Sequence, residues 1–139
     1  MKGDTMIDKE KLISMAAEAA PKAYAPYSKF HVGAAVLADD GTVYTGVNVE
    51  NRSYGLTVCA ERNAVANGIA NGMKAIKAVA VYSPDSDVPL PPCGACRQVI
   101  TEFASSDAVV ICCDRSRNAV EIPVSELYPM DSLKNLKKI

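Results

Sequence analysis

The sequence predicts an α/β fold: a single mixed five-stranded sheet sandwiched between helices, in one domain over residues 1–139. Two observations carry that expectation. The element signatures run helix, hairpin, then strand alternating with helix, an order that favours one sheet covered by helices on both faces. The 139 residues, 49% hydrophobic and 22% charged, have the size and composition of one globular core, with no repeat, low-complexity tract or long Gly/Ser linker to divide it.

Leu12, Ile13, Ala16, Ala19, Ala20 and Ala23 recur at helical spacing and predict a helix over 8–24, closed by Pro26. "APYSKF" reads as a turn-rich loop. "HVGAAVLA" and "TVYTGVNV" flank "DDG", a hairpin signal that places strands at 31–38 and 42–48. "NRSYGLT" is a loop leading into a helix at 59–71, and "AIKAVAVYS" gives a β-branched strand at 76–83. The proline-rich "DSDVPLPP" delivers "CGACRQVITEFA", a helix, followed by the buried strand "AVVICC". "AVEIPVSEL" supplies an edge strand and a short helical turn, and "DSLKNLKK" a last helix.

A net charge of −1 argues against a surface built to track a nucleic-acid backbone. The basic tail "KNLKKI" reads as a solvated helix end. The charged start "MKGDTMIDKEKL" has no apolar stretch of signal-peptide length, and apolar runs such as "AVVICC" fall far short of the ~20 residues that span a bilayer. The expectation is a cytoplasmic protein without a membrane or polynucleotide partner. In that compartment five cysteines are metal, catalytic or core residues before they are disulfides.

Cys93 and Cys96, three apart at a helix start, present their sulfurs from one face. Pro92 suits the opening of that helix, where its missing N–H loses no bond. Cys59 opens another helix, so two positive helix ends would favour thiolates at one place. Such pairs commonly build zinc sites, and three protein ligands leave a fourth position for water, the catalytic arrangement. A closed structural site would need Cys112 or Cys113. These adjacent residues of an apolar strand point to opposite faces and read as small core side chains. Glu61, two residues past Cys59, can reach a water without binding the metal; by itself it would be an ordinary first-turn glutamate. Three thiolates and Zn²⁺ leave excess negative charge, which Arg62 can relieve by hydrogen bonding to sulfur, with Arg97 and Gln98 as weaker candidates beyond the ligands. His31, the single histidine, reads as a hydrogen-bonded strand residue rather than a ligand.

"Cys59-Ala60-Glu61" with "Pro92-Cys93-Gly94-Ala95-Cys96" resembles the zinc deaminase signature, in which the glutamate is the general acid/base. More closely, "APYSKFHVGAAVL", "GVNVENRSYGLTVCAERNAV" and "PPCGACRQVI" resemble the small, homo-tetrameric, zinc-dependent cytidine deaminases of pyrimidine salvage, over about residues 10–128. The resemblance implies hydrolytic deamination of cytidine, and of 2′-deoxycytidine, to the uridine product and ammonia. Zinc would activate the water and Glu61 would shuttle its proton. It further implies that Asn48 and Glu50 of "Asn48-Val49-Glu50-Asn51" hold the ribose hydroxyls, that Phe30 packs on the pyrimidine face, and that backbone at Ala60 and Pro92 fixes the base edge. Tyr54 would lie at the substrate site near subunit contacts.

The tail departs from that family. A phenylalanine that reaches a neighbouring subunit's site is missing from "ELYPMDSLKNL", so Tyr128 or Met130 is expected at the pocket rim instead. Ala60, Ala64, Ala66 and Gly68 are small enough to let helices approach closely, which supports the expected homo-tetramer. Two other readings stand beside the main one. One is a deaminase of the same fold acting on a blasticidin-type cytosine compound. The other is a non-catalytic zinc or redox module.

Overall fold

A computed structural model describes residues 7–136. Asp8 caps the first helix, α1 (Lys9–Ala19), its Oδ1 accepting from Lys11 N at 3.0 Å. The helix stops short of the expected residue 24. Pro21 brings no N–H to the ladder, and the chain tightens into a 3-10 turn over Ala20–Lys22. The hairpin follows as β1 (Gly33–Ala38) and β2 (Val43–Val47), with Gly41 at φ 91 in its turn. Next come α2 (Ala60–Ala70), β3 (Ile76–Tyr82), α3 (Gly94–Phe103), β4 (Ala104–Cys113), β5 (Ala119–Pro123) and α4 (Val124–Leu127).

The five strands form one sheet in the order β2-β1-β3-β4-β5. Only β3 and β4 run parallel; α3 makes their crossover, and the other pairs are antiparallel. The expected α/β sheet with helices on both faces is what the chain forms.

Strand alternation divides the core in two. Ala34, Val36, Val79, Val81, Val110 and Cys112 face α2, α3 and α4, while Ala35, Leu37, Ala78, Ala80, Ile111 and Cys113 face α1. The adjacent cysteines therefore fill opposite faces, both fully buried. Close packing is set by missing side chains. A Cβ on Gly33 would lie 2.0 Å from the Ala16 carbonyl oxygen, and one on Gly46 would lie 2.3 Å from Ala64 N. Gly46 thus seats α2 directly on the hairpin. Ala60 and Ala64 are spent on this contact within the chain and Gly68 against Met73, whereas Ala66 alone of the four small residues is exposed.

Two further boundaries differ from expectation. Strand β4 begins at Ala104, directly after α3, and its pairing with β3 shifts register between Ile76 and Ala78. The polar "ASSD" hides this stretch from any apolar pattern. The last helix is reduced, in its described part, to a 3-10 turn over Lys134–Leu136; the rest lies outside the described residues. Leu133 and Leu136 are 50% and 76% exposed, so no packed face supports a longer helix.

Candidate active site

Cys59 is the N-cap residue of α2 and Cys93 that of α3, and Cys96 lies in the first turn of α3. Both helices lie on the same sheet face, and the loop leaving β3 brings the second start to the first. The three sulfurs lie within 4.8 Å of one another: Cys59 Sγ is 3.8 Å from Cys93 Sγ, which is 3.4 Å from Cys96 Sγ. Zinc–sulfur bonds of about 2.3 Å in a tetrahedron place sulfurs about 3.8 Å apart, so these spacings suit the ion.

Charge points the same way. A hydrogen bond from Cys96, helped by Arg62 and Cys93, lowers the Cys59 thiol to about 5, while that same bond and burial push Cys96 upward. Three sulfurs this close cannot all ionise without a bound cation. Arg62, one turn beyond Cys59, donates from Nη2 to Cys59 Sγ at 3.6 Å.

Beside the sulfurs opens a cavity of about 310 Å³. Its lining runs from buried Ala60 and Glu61, with Cys59 and Cys93, past Phe30, Val32 and Leu90, to Asn48, Glu50 and exposed Ser28. Glu61 is 5% exposed, and burial first, then the Cys59 charge, pushes its carboxyl up to about 7. A carboxyl balanced between its two forms near neutrality can both take and give a proton. Asn48 ties the wall together: Oδ1 accepts from Val32 N and Nδ2 donates to the Phe30 carbonyl, both at 2.8 Å.

Several expected residues lie elsewhere. Gln98 accepts from the Tyr128 hydroxyl at 2.6 Å and reaches towards Asp131, not towards a sulfur. Two residues past Cys96, it points around the helix from it. Tyr128 is held by that bond, and neither it nor Met130, which is 88% exposed, lines the cavity. Arg97 donates to the carbonyls of Pro92 and Leu127, anchoring the C-terminal segment beside the Cys93 turn. Tyr54 is 77% exposed, stacked edge-on to Tyr27 over a neighbouring depression that shares Ser28, Glu50 and Thr57 with the cavity. His31 pairs through Nδ1 with Asp85 at 2.9 Å; among the described residues the metal-competent cluster is the cysteine trio.

Ser28, Thr57, Leu90 and Pro91 line the cavity without having been read from the sequence. Of these, Ser28 carried a signal, as a hydroxyl two residues before the aromatic Phe30.

A family model, the cytidine and deoxycytidylate deaminase zinc-binding region, matches residues 6–113. The chain belongs to the cytidine and deoxycytidylate deaminase family. Within it, the chain is 46% identical over 123 residues to a cytidine deaminase of Sporosarcina psychrophila, covering 88% of this chain and 90% of that one. A crystal structure of cytidine deaminase from Burkholderia pseudomallei superposes with a TM-score of 0.83 at 41% identity, over 89% of this chain and 98% of the other. A blasticidin-S deaminase of Bacillus cereus is more distant, at 33% identity over 115 residues, 78% of this chain and 81% of that one. Membership of a zinc-dependent hydrolase family sets aside the non-catalytic module.

Proposed function

We propose that this deaminase hydrolyses cytidine and 2′-deoxycytidine to the corresponding uridine and ammonia. The observation that carries the reading is the placement of one buried carboxyl, Glu61, beside three sulfurs gathered from two helix starts, in a cavity with room for a nucleoside. Cys59, Cys93 and Cys96 would hold zinc, which when bound supplies the Lewis acidity that brings the pKa of water towards ~7.

The chain's own residues account for the remaining steps. Phe30 packs against the pyrimidine, and Asn48 holds the loop that carries it. Backbone at Ala60 orients the base edge, and Arg97, donating to the Pro92 carbonyl, fixes the backbone that leads into Cys93. Glu61 takes the proton of the attacking water and passes it to ring N3 as oxygen bonds to C4. It then takes the second proton from the new C4 hydroxyl and passes it to the amine; as C4=O forms and the C4–N4 bond breaks, water and cytidine yield uridine and ammonia. Arg62 draws charge from Cys59.

Glu50 takes a sugar hydroxyl. Among the described lining residues there is no Lys or Arg, while Glu50 and Glu61 are acidic. That lining accepts an uncharged sugar and repels a phosphate, so the substrate is a nucleoside rather than its 5′-phosphate.

The chain works as a homo-tetramer in the cytoplasm, in pyrimidine salvage. Tyr24, Tyr27, Val49, Tyr54 and Leu56 form an exposed apolar stretch suited to subunit contact, and no described helix is long and apolar enough to cross a membrane. The test is ammonia release by the purified zinc-loaded protein from cytidine, deoxycytidine, cytidine 5′-phosphate and blasticidin S. The two nucleosides are expected to turn over and the phosphate not; turnover of blasticidin S alone would replace the reading.

A further inference from the structure

Glu50 stands at the exposed end of the cavity, yet its carboxylate is tightly held. Oε1 accepts from Tyr27 N at 3.0 Å and from Ser28 N at 3.1 Å, and Oε2 accepts from the Ser28 hydroxyl. A carboxylate has about four acceptor positions. Two on Oε1 and one on Oε2 are filled, which leaves one lone pair on Oε2, beside Ser28.

The serine hydroxyl is itself fixed. Its single proton goes to Glu50, and its oxygen accepts from Phe30 N at 3.0 Å. The intervening Lys29 adopts a left-handed conformation, φ 62, with its N–H on the Ala25 carbonyl at 3.0 Å. That turn folds Phe30 N back onto the hydroxyl. Ser28's hydroxyl, ahead of the backbone N–H groups of Ser28 and Tyr27, also holds the Glu50 carboxyl below the usual carboxylate range, so it stays ionised.

We propose that Ser28 is a positioning residue that presents Glu50 to a sugar hydroxyl, by aiming the last free lone pair of Oε2 into the cavity. The inference rests on the reading of Glu50 as the acceptor of a sugar hydroxyl. Without the serine hydroxyl, Oε2 has two free acceptor positions and no fixed direction, and water can occupy them. The sulfurs and Glu61 stand on α2 and α3, which do not include Ser28 or Glu50. The consequence is therefore in substrate binding, not in the chemical step.

Steady-state kinetics of zinc-loaded Ser28→Ala, Ser28→Thr and Glu50→Gln with cytidine and 2′,3′-dideoxycytidine test this. Ser28→Ala is expected to raise KM for cytidine about tenfold with kcat within about twofold, the scale of one lost hydrogen bond to a charged group. With dideoxycytidine, which has no ring hydroxyl for Glu50 to accept, the same substitution changes KM by less than about threefold. Ser28→Thr keeps the hydroxyl and restores the cytidine KM. Should Ser28→Ala unfold, Ser28→Cys, a weak donor, is expected to show the same split between substrates. A raised cytidine KM in Glu50→Gln but not in Ser28→Ala would overturn the role of Ser28 alone. Equal losses on both substrates would also overturn it, assigning the serine to the loop in general. An unchanged KM in Glu50→Gln would overturn the sugar-binding role of Glu50 and the proposal with it.

Discussion

Glu61 combines two properties that oppose each other in most carboxyls: it is almost fully buried, and it belongs to a helix start that favours negative charge. Burial wins, and the carboxyl of the metal-free chain titrates near 7 instead of its ordinary 4.5. Between those values the folded chain holds a proton that the unfolded chain has released, so the sign of the effect is fixed. Stability from this group is complete below about 4.5 and declines as pH rises through 7. The loss is on the order of 3 kcal/mol. Cys59, lowered to about 5, adds stability over the same range in both proteins, so the decline is read as a difference. Urea unfolding of the metal-free protein at pH 5 and pH 8 is expected to show wild type losing stability relative to Glu61→Gln, and an equal slope in both proteins would refute the buried titration. At this scale the chemistry was legible, because a thiol needs a helix start and a partner whatever the rest of the chain does. Gln98 was misplaced for a reason equally local: a residue two past Cys96 cannot share its face. Ser28 carried only the weak signal of a hydroxyl two residues before Phe30, because its partner Glu50 lies 22 residues away and no local pattern pairs the two.

The elements position the site through the seating of α2 on the hairpin. Gly46 leaves room for the backbone of Ala60 and Ala64, and so determines where Cys59 and Glu61 start. Gly46→Ala would place a methyl 2.3 Å from Ala64 N, against backbone that cannot turn aside. We expect it to lower stability by about 1–3 kcal/mol and to reduce zinc retention, as read by denaturation and metal analysis. Gly55→Ala, with nothing within 4 Å of the added carbon, is the control and should change neither. Every strand was legible from alternation or apolar runs, and β1 shows why: Ala34, Val36 and Ala38 serve one core and Ala35 and Leu37 the other. The start of β4 was not, because "ASSD" joins the sheet through backbone pairing across a register shift rather than through apolar side chains. The end of α1 was blurred because Pro21 ends a hydrogen-bond ladder without ending the apolar spacing.

For the whole molecule, the sheet gathers both helix starts at one end of a single face, and exposed Tyr54 stands outside the cavity it was expected to join, with Leu56 exposed near it in the chain. Their exposure fits subunit contact, and Leu56→Glu is expected to shift the proposed tetramer to smaller species in light scattering; a fully active wild-type monomer would defeat the assembly. The position of Tyr128 could not be read from sequence, since it depends on α4 docking through Arg97 on a helix some thirty residues earlier. The central claim is that Glu61 moves protons for a hydrolysis taking place beside the cysteine trio. Its most direct test is the single-turnover rate of Glu61→Gln with cytidine at verified full zinc occupancy. The account predicts a loss of at least roughly 10²–10⁴-fold with the fold and the metal retained. A zinc-replete variant that deaminates at the wild-type rate would contradict it.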